Sequence, residues 1–297
     1  MALLFGGSLG SNATLRNDTW TFNGSAWSSL SPASPPSARA TAAMATLGTH
    51  AVLFGGFDST ADLSDTWLFN GSSWSPASTG PSDRESASMA TLGNQVVLFG
   101  GILYASNAVL GDTWLFDGSV WTRPTIAHPP PARFGASMAT IGSHVVMFGG
   151  LPCHMGCDAG APLGDTWLFD GSTWSEAPSS AGGLNPPRAF AATATLGSQV
   201  IVFGGTAGLS YPHDSGPDLS DTWAFDGTTW SNLNIAAAPP ARAAASMAAV
   251  GSELVLFGGH LLTSFYGDTW IFDGSAWTPN PSSSPPPRDR ASMTGLP

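Results

Sequence analysis

Apolar positions along this chain come in short runs, each cut off by a turn signal, and one such pattern returns six times. In the last complete copy the strand-like segments are Arg242 to Val250, Glu253 to Phe257, Asp268 to Phe272 and Ser275 to Thr278. Gly-Ser follows the first, Gly-Gly the second and Asp-Gly the third, pairs that turn the chain back on itself between strands. Four antiparallel strands in a unit of about 50 residues match one blade of a propeller. Almost no helix is expected.

Phe-Gly-Gly marks each copy, at Phe5, Phe54, Phe99, Phe148, Phe203 and Phe257. Asp-Thr-Trp follows each, then Phe-(Asp/Asn)-Gly and a second Trp. The Trp pairs, from Trp20/Trp27 to Trp270/Trp277, are always seven residues apart and use all twelve tryptophans. A residue spent so uniformly serves architecture.

The double Gly, the Trp after Asp-Thr and the second Trp together resemble the kelch repeat, over essentially the whole chain. The Asp-Thr-Trp and Phe-Asp-Gly form looks most like bacterial kelch proteins. The resemblance implies an all-β, six-bladed propeller as a single domain, with the first strand of each blade innermost. The blades are then 1–30 plus 288–297, 39–78, 84–124, 133–178, 188–233 and 242–280. Small residues in the first segments, as in Ala40-Thr-Ala-Ala-Met44, let six strands converge on an axis. The double Gly is expected to make room for a neighbouring Trp. Arg288 to Leu296 reads as a first strand that completes the blade begun at Met1, so the ring closes on itself.

Composition narrows the function. A net charge of −11, with nine Arg and no Lys, excludes nucleic acid and anionic lipid as partners. No apolar run approaches the ~20 residues of a membrane span, and the start is too short for a signal peptide. That leaves a cytoplasmic protein or a piece of a longer, exported or cell-surface chain. The second is preferred because the sequence opens in mid-repeat. A monomer is expected.

Since the repeat is common to all blades, function belongs to the loops, which are longest at Leu151 to Gly164 and Thr206 to Ser220. On the face carrying them lie Tyr104, Tyr211, Tyr266, His154, His213 and His260, with His128 on a blade-to-blade connection of the same face. Aromatic and His-bearing loops on a rigid ring make a recognition surface. Cys153 and Cys157 are read as a local disulfide pinning a loop, which suits an oxidising compartment, with two free thiols as an open alternative. A metal held by Cys153, His154, Cys157 and His213 is the sharper alternative, but no second Cys pair supports it, so no metal and no cofactor are assigned.

Arg39, Arg84, Arg133, Arg188, Arg242 and Arg288 open the first strands and ring the axis at this face. They could hold an anion. Alternatively they pair one-to-one with Asp18, Asp65, Asp112, Asp165, Asp221 and Asp268 and tie blades together. The second carboxylates, as in Asp117, serve hairpin turns. No catalytic residue is assigned: Lys is absent, Glu occurs three times, and no phosphate loop or dinucleotide fingerprint is present. Galactose oxidase resembles this fold, but its copper ligands have no counterparts here.

These observations predict a non-catalytic scaffold that binds a protein or glycan ligand through the Tyr/His/Cys loop face. The alternative is an extracellular carbohydrate-binding or sugar-isomerising protein, like the sialic acid epimerases of the family. A purely structural module of a larger surface protein is the third possibility.

Overall fold

The computed structural model describes residues 1–10, 14–154, 161–178, 186–208 and 217–297. Six four-stranded antiparallel sheets follow one another in it, each one blade. Blade 2 is typical: Ala43–Leu47 innermost, then His50–Phe54, Thr66–Phe69 and Trp74–Pro76 outermost. In blade 1 the inner strand is Ser292–Gly295, paired with Ala2–Phe5 in the register Ala2 to Gly295 and Phe5 to Ser292. The strand from the end of the chain therefore completes the blade that its beginning started. Apart from the single 3-10 turn Tyr104–Ser106, no helix occurs among the described residues.

Both faces of each second strand are covered by neighbouring blades, so these strands are continuous apolar runs. In blade 2, Val52 and Phe54 pack towards blade 3 with Met89, Val96 and Leu98. Ala51 and Leu53 pack towards blade 1 with Leu3 and Phe5. The core is thus a circle of inter-blade layers.

The two tryptophans of a repeat have different jobs. The second is buried, 3–7% exposed, and reaches the preceding blade. Trp74 Nε1 donates to Thr19 Oγ1 at 3.1 Å, and Trp121 Nε1 to Thr66 Oγ1 at 2.9 Å. Its indole also lies on two phenylalanines, Trp121 on Phe116 at 4.9 Å and on Phe54 at 5.3 Å. The first Trp is half-buried and donates to the Asp two residues before it, as Trp67 does to Asp65 at 2.6 Å.

Three expectations need correcting. The double Gly does not make room for Trp: a Cβ on Gly55 would lie 2.6 Å from the Arg84 carbonyl oxygen, and one on Gly56 2.6 Å from that of Ala40. Both also have positive φ, 64° and 93°. What they admit is the backbone of the adjacent inner segments. Secondly, the inner strand of blade 6 runs Ser246–Val250 rather than from Arg242, because Ala244 sits at φ 53°. Thirdly, the outer strand is Trp277–Asn280, since Ser275 caps the turn built by Asp273, whose Oδ1 accepts its N–H at 2.8 Å.

Candidate functional site

The segment that leaves each motif arginine reaches the axis two residues later. Thr41, Ser86, Gly135, Phe190, Ala244 and Arg290 stand there, all at φ of 53–62°. Each N–H donates to the equivalent carbonyl in the preceding blade: Thr41 to Arg290, Ser86 to Thr41, Gly135 to Ser86, Phe190 to Gly135, Ala244 to Phe190 and Arg290 to Ala244, at 2.8–3.0 Å. The bonds form a closed circle around the propeller axis. Above it lies an open cavity of about 190 Å3, and below it a second of about 170 Å3 bordered by Met44, Met89, Met138, Thr193, Met247 and Met293.

The loops after Phe-Gly-Gly share this face with the blade-entry segments, as the bridges Ala40 to Phe57 and Glu85 to Ile102 show. Among the described residues three of the loops form short ribbons, such as Ile102–Leu103 with Ala108–Val109.

The six motif arginines are at the face, but at most 1% exposed. Each makes a forked pair with an aspartate, Arg39 with Asp65 at 2.6 and 2.8 Å. Arg39 Nη1 also donates to Gly55 O, and Nε and Nη2 to Ser37, which uses all five donors. Such groups are spent on the fold rather than offered to a ligand. The pairs do not tie blades together, however: Arg39 and Asp65 belong to the same blade, as do the five equivalents. What joins the blades is the arginine backbone, whose carbonyl accepts from the second Gly of the preceding blade, Gly56 N to Arg84 O at 3.0 Å.

Two groups of side chains remain. The first is an arc of rings across blades 2 to 5. Phe57 lies 6.1 Å from Tyr104, Tyr104 5.5 Å from His154, His154 5.8 Å from Phe134, and Phe134 6.1 Å from Phe190. His154 Nδ1 is 2.7 Å from Asn107 Oδ1, and partial burial holds its pKa below the ordinary histidine value. The imidazole is therefore neutral and belongs with the aromatic rings. The second group lies where blade 6 meets blade 1. Buried His260 places Nδ1 2.8 Å from Asp289 Oδ2, and Arg290 Nε is 3.6 Å from the same oxygen. Tyr266 lies under the Arg242 guanidinium, 4.0 Å from ring centre to Cζ.

Between the groups stands Glu85, which accepts from the Thr41 hydroxyl at 2.9 Å. Burial, the larger cause, and the charge of Asp62 raise its pKa above the usual glutamate value, against the pull of Thr41 and Arg290.

Of the residues singled out from sequence, Tyr104 and His154 come together, while His260 and Tyr266 sit on the other side. His128 is exposed on its connection. Cys153 carries no free thiol; Cys157, Tyr211 and His213 lie outside the described residues. Phe57, Phe134, Phe190, Asn107, Glu85, Asp289 and Arg290 were missed. Their signal was positional: most occupy the first or second place after the motif arginine, where the six repeats differ from one another.

No curated protein matches this chain significantly. A family model, the KLHDC2/KLHL20/DRC7 Kelch-repeats domain, matches residues 1–205, more than half of the chain and five of its Phe-Gly-Gly markers in full. With its six blades built on the double Gly and paired tryptophans, the chain belongs to this kelch-repeat family.

Proposed function

We propose that this propeller is a non-catalytic interaction module that binds a protein partner through the loop face. The arc Phe57, Tyr104, His154, Phe134 and Phe190 carries this reading. Apart from buried Phe134 these rings remain partly exposed, and aromatic groups so held on a rigid frame contribute contact area at little entropic cost and dominate the energetics of interfaces. Tyr104 is 37% exposed at the outer part of the arc, and half-buried Phe190 is at its axial end. Kelch propellers are typically protein-interaction scaffolds, and the motif arginines, buried against their aspartates, leave the loops as the variable surface.

The test is capture of a partner on the immobilised chain, followed by affinity measurement with that partner purified. Tyr104→Ser combined with Phe57→Ser is expected to weaken binding by about tenfold or more while the thermal midpoint stays unchanged. Undiminished affinity in a folded double variant would move the interface off this face.

A further inference from the structure

The axial circle holds six equivalent residues in the left-handed region, where glycine alone is free of strain. Only blade 4 uses glycine there. Thr41, Ser86, Phe190, Ala244 and Arg290 bear the strain, and such strain gathers where the placement of a side chain matters.

Gly135 has a reason of its own. A Cβ on it would lie 2.7 Å from Cε1 and Cζ of Phe190, so the phenyl ring of blade 5 lies over the backbone of blade 4. Arg290 is three steps from Gly135 in either direction around the circle. Arg290 and Phe190 both border the cavity over the circle, with the phenyl ring on the Gly135 side. Thr41, whose hydroxyl donates to Glu85, and Ser86 border the cavity between them on one side, and Ala244 on the other. Arg290 is steadied by Asp289, with Nε 3.6 Å from Oδ2, and its charge also acts on Glu85.

The main-chain groups of the circle are consumed by one another. An extended peptide, which is held largely by main-chain hydrogen bonds, finds only side chains here. A molecule combining an anion, several hydroxyls and an apolar ring face finds a partner for each. The cavity of about 190 Å3 is open to solvent and bounded by the circle below, so it suits one small ring rather than a chain.

We propose that the axial mouth binds a single acidic sugar of the hexuronate type. Its carboxylate meets Arg290, its hydroxyls meet Thr41 and Ser86, and its C–H face lies on Phe190. The inference rests on the loop face being the ligand face, and it names the chemistry taken at its centre.

Calorimetric titration of the whole chain with D-glucuronate, D-glucose and acetate tests it. Glucuronate is expected to bind saturably and at least about tenfold more tightly than either control. Arg290→Gln should bring glucuronate down to the level of glucose, and Phe190→Ala should weaken both sugars. Phe190→Leu, which keeps bulk over Gly135, repeats that test should the alanine variant unfold. The proposal is overturned by absence of binding at millimolar glucuronate, or by acetate binding equally well. It also falls if a peptide with a free C-terminal carboxylate outcompetes the sugar, or if Arg290→Gln changes nothing. Should the sugar fail while partner capture still depends on Tyr104, the loop-face reading survives alone; if both fail, both are lost.

Discussion

Arg84 and Asp112 are joined by two parallel hydrogen bonds, Nη1 to Oδ1 at 2.6 Å and Nη2 to Oδ2 at 3.1 Å. The arginine side chain is 1% exposed and the aspartate 13%, whereas in the equivalent pair of blade 2 Asp65 is 41% exposed. Asp112→Ala leaves a buried guanidinium uncompensated and is expected to cost ~3–5 kcal/mol. Asp65→Ala should cost clearly less, because water can replace the carboxylate. Urea midpoints of the two variants check this, and equal losses would contradict it.

Acid should unfold the propeller late. Burial alone would raise the pKa of the six motif aspartates, but hydrogen bonds from arginine and tryptophan, with the arginine charge, outweigh it and leave each below the ordinary value. A carboxylate depressed in the folded state stabilises it above the unfolded value near ~3.9 and loses that contribution as pH falls through the folded value. A thermal midpoint steady between about pH 8 and 5, falling below about pH 4, is expected. A decline beginning at pH 6 would show that other groups control stability.

Glu85 carries the opposite sign. With its pKa raised in the fold, its ionised form destabilises the native state at neutral pH. Glu85→Gln should therefore raise the thermal midpoint at pH 7. The gain should disappear below about pH 4, where both states carry a neutral side chain. A variant less stable than the parent at pH 7 would mean that the carboxylate is held by attractions rather than tolerated.

Glycines of the repeat should differ sharply in cost. A Cβ on Gly100 would lie 2.3 Å from the Arg133 carbonyl oxygen, while one on Gly93 meets nothing within 4 Å, and both have positive φ. Gly93→Ala is expected to cost ~1–2 kcal/mol from backbone strain alone. Gly100→Ala adds overpacking of a further ~1–3 kcal/mol. Chemical denaturation of the two variants separates them, and similar losses would argue against the close approach.

Ring closure makes a fifth measurement. Deleting residues 288–297 removes the inner strand of blade 1 and also Arg288, which holds Asp18 at 2.6 and 2.8 Å. The shortened chain is expected to lose its single sharp thermal transition, because an open edge remains and Asp18 keeps only Trp20 and the distant Arg16 as partners. Full thermal stability after the deletion would refute closure by this strand.

The fold could be read from the residues because its signals are local and repeated. Phe-Gly-Gly ends a strand wherever it occurs, and a Trp seven residues after another marks the next hairpin in all six units. Even the closing strand could be found, since Met293 follows Arg288 at the spacing of Met44 after Arg39. Reasons were less accessible than positions. The double Gly faces backbone rather than indole, and the arginine pairs lie within blades, because both depend on how neighbouring blades seat against each other.

The chain by itself determined six blades, their strands and the loops that vary, since turn chemistry and hydrophobic runs act over a few residues at a time. Only the tertiary structure decided which side chains meet. Phe57, Tyr104, His154, Phe134 and Phe190 come from four blades, and Arg290 borders the same axial cavity as Phe190 from a segment a hundred residues away. These meetings, the ring contacts of the arc and the shared cavity of Arg290 and Phe190, arise when the ring closes and six inner segments converge on the axis, a convergence that no spacing along the chain encodes.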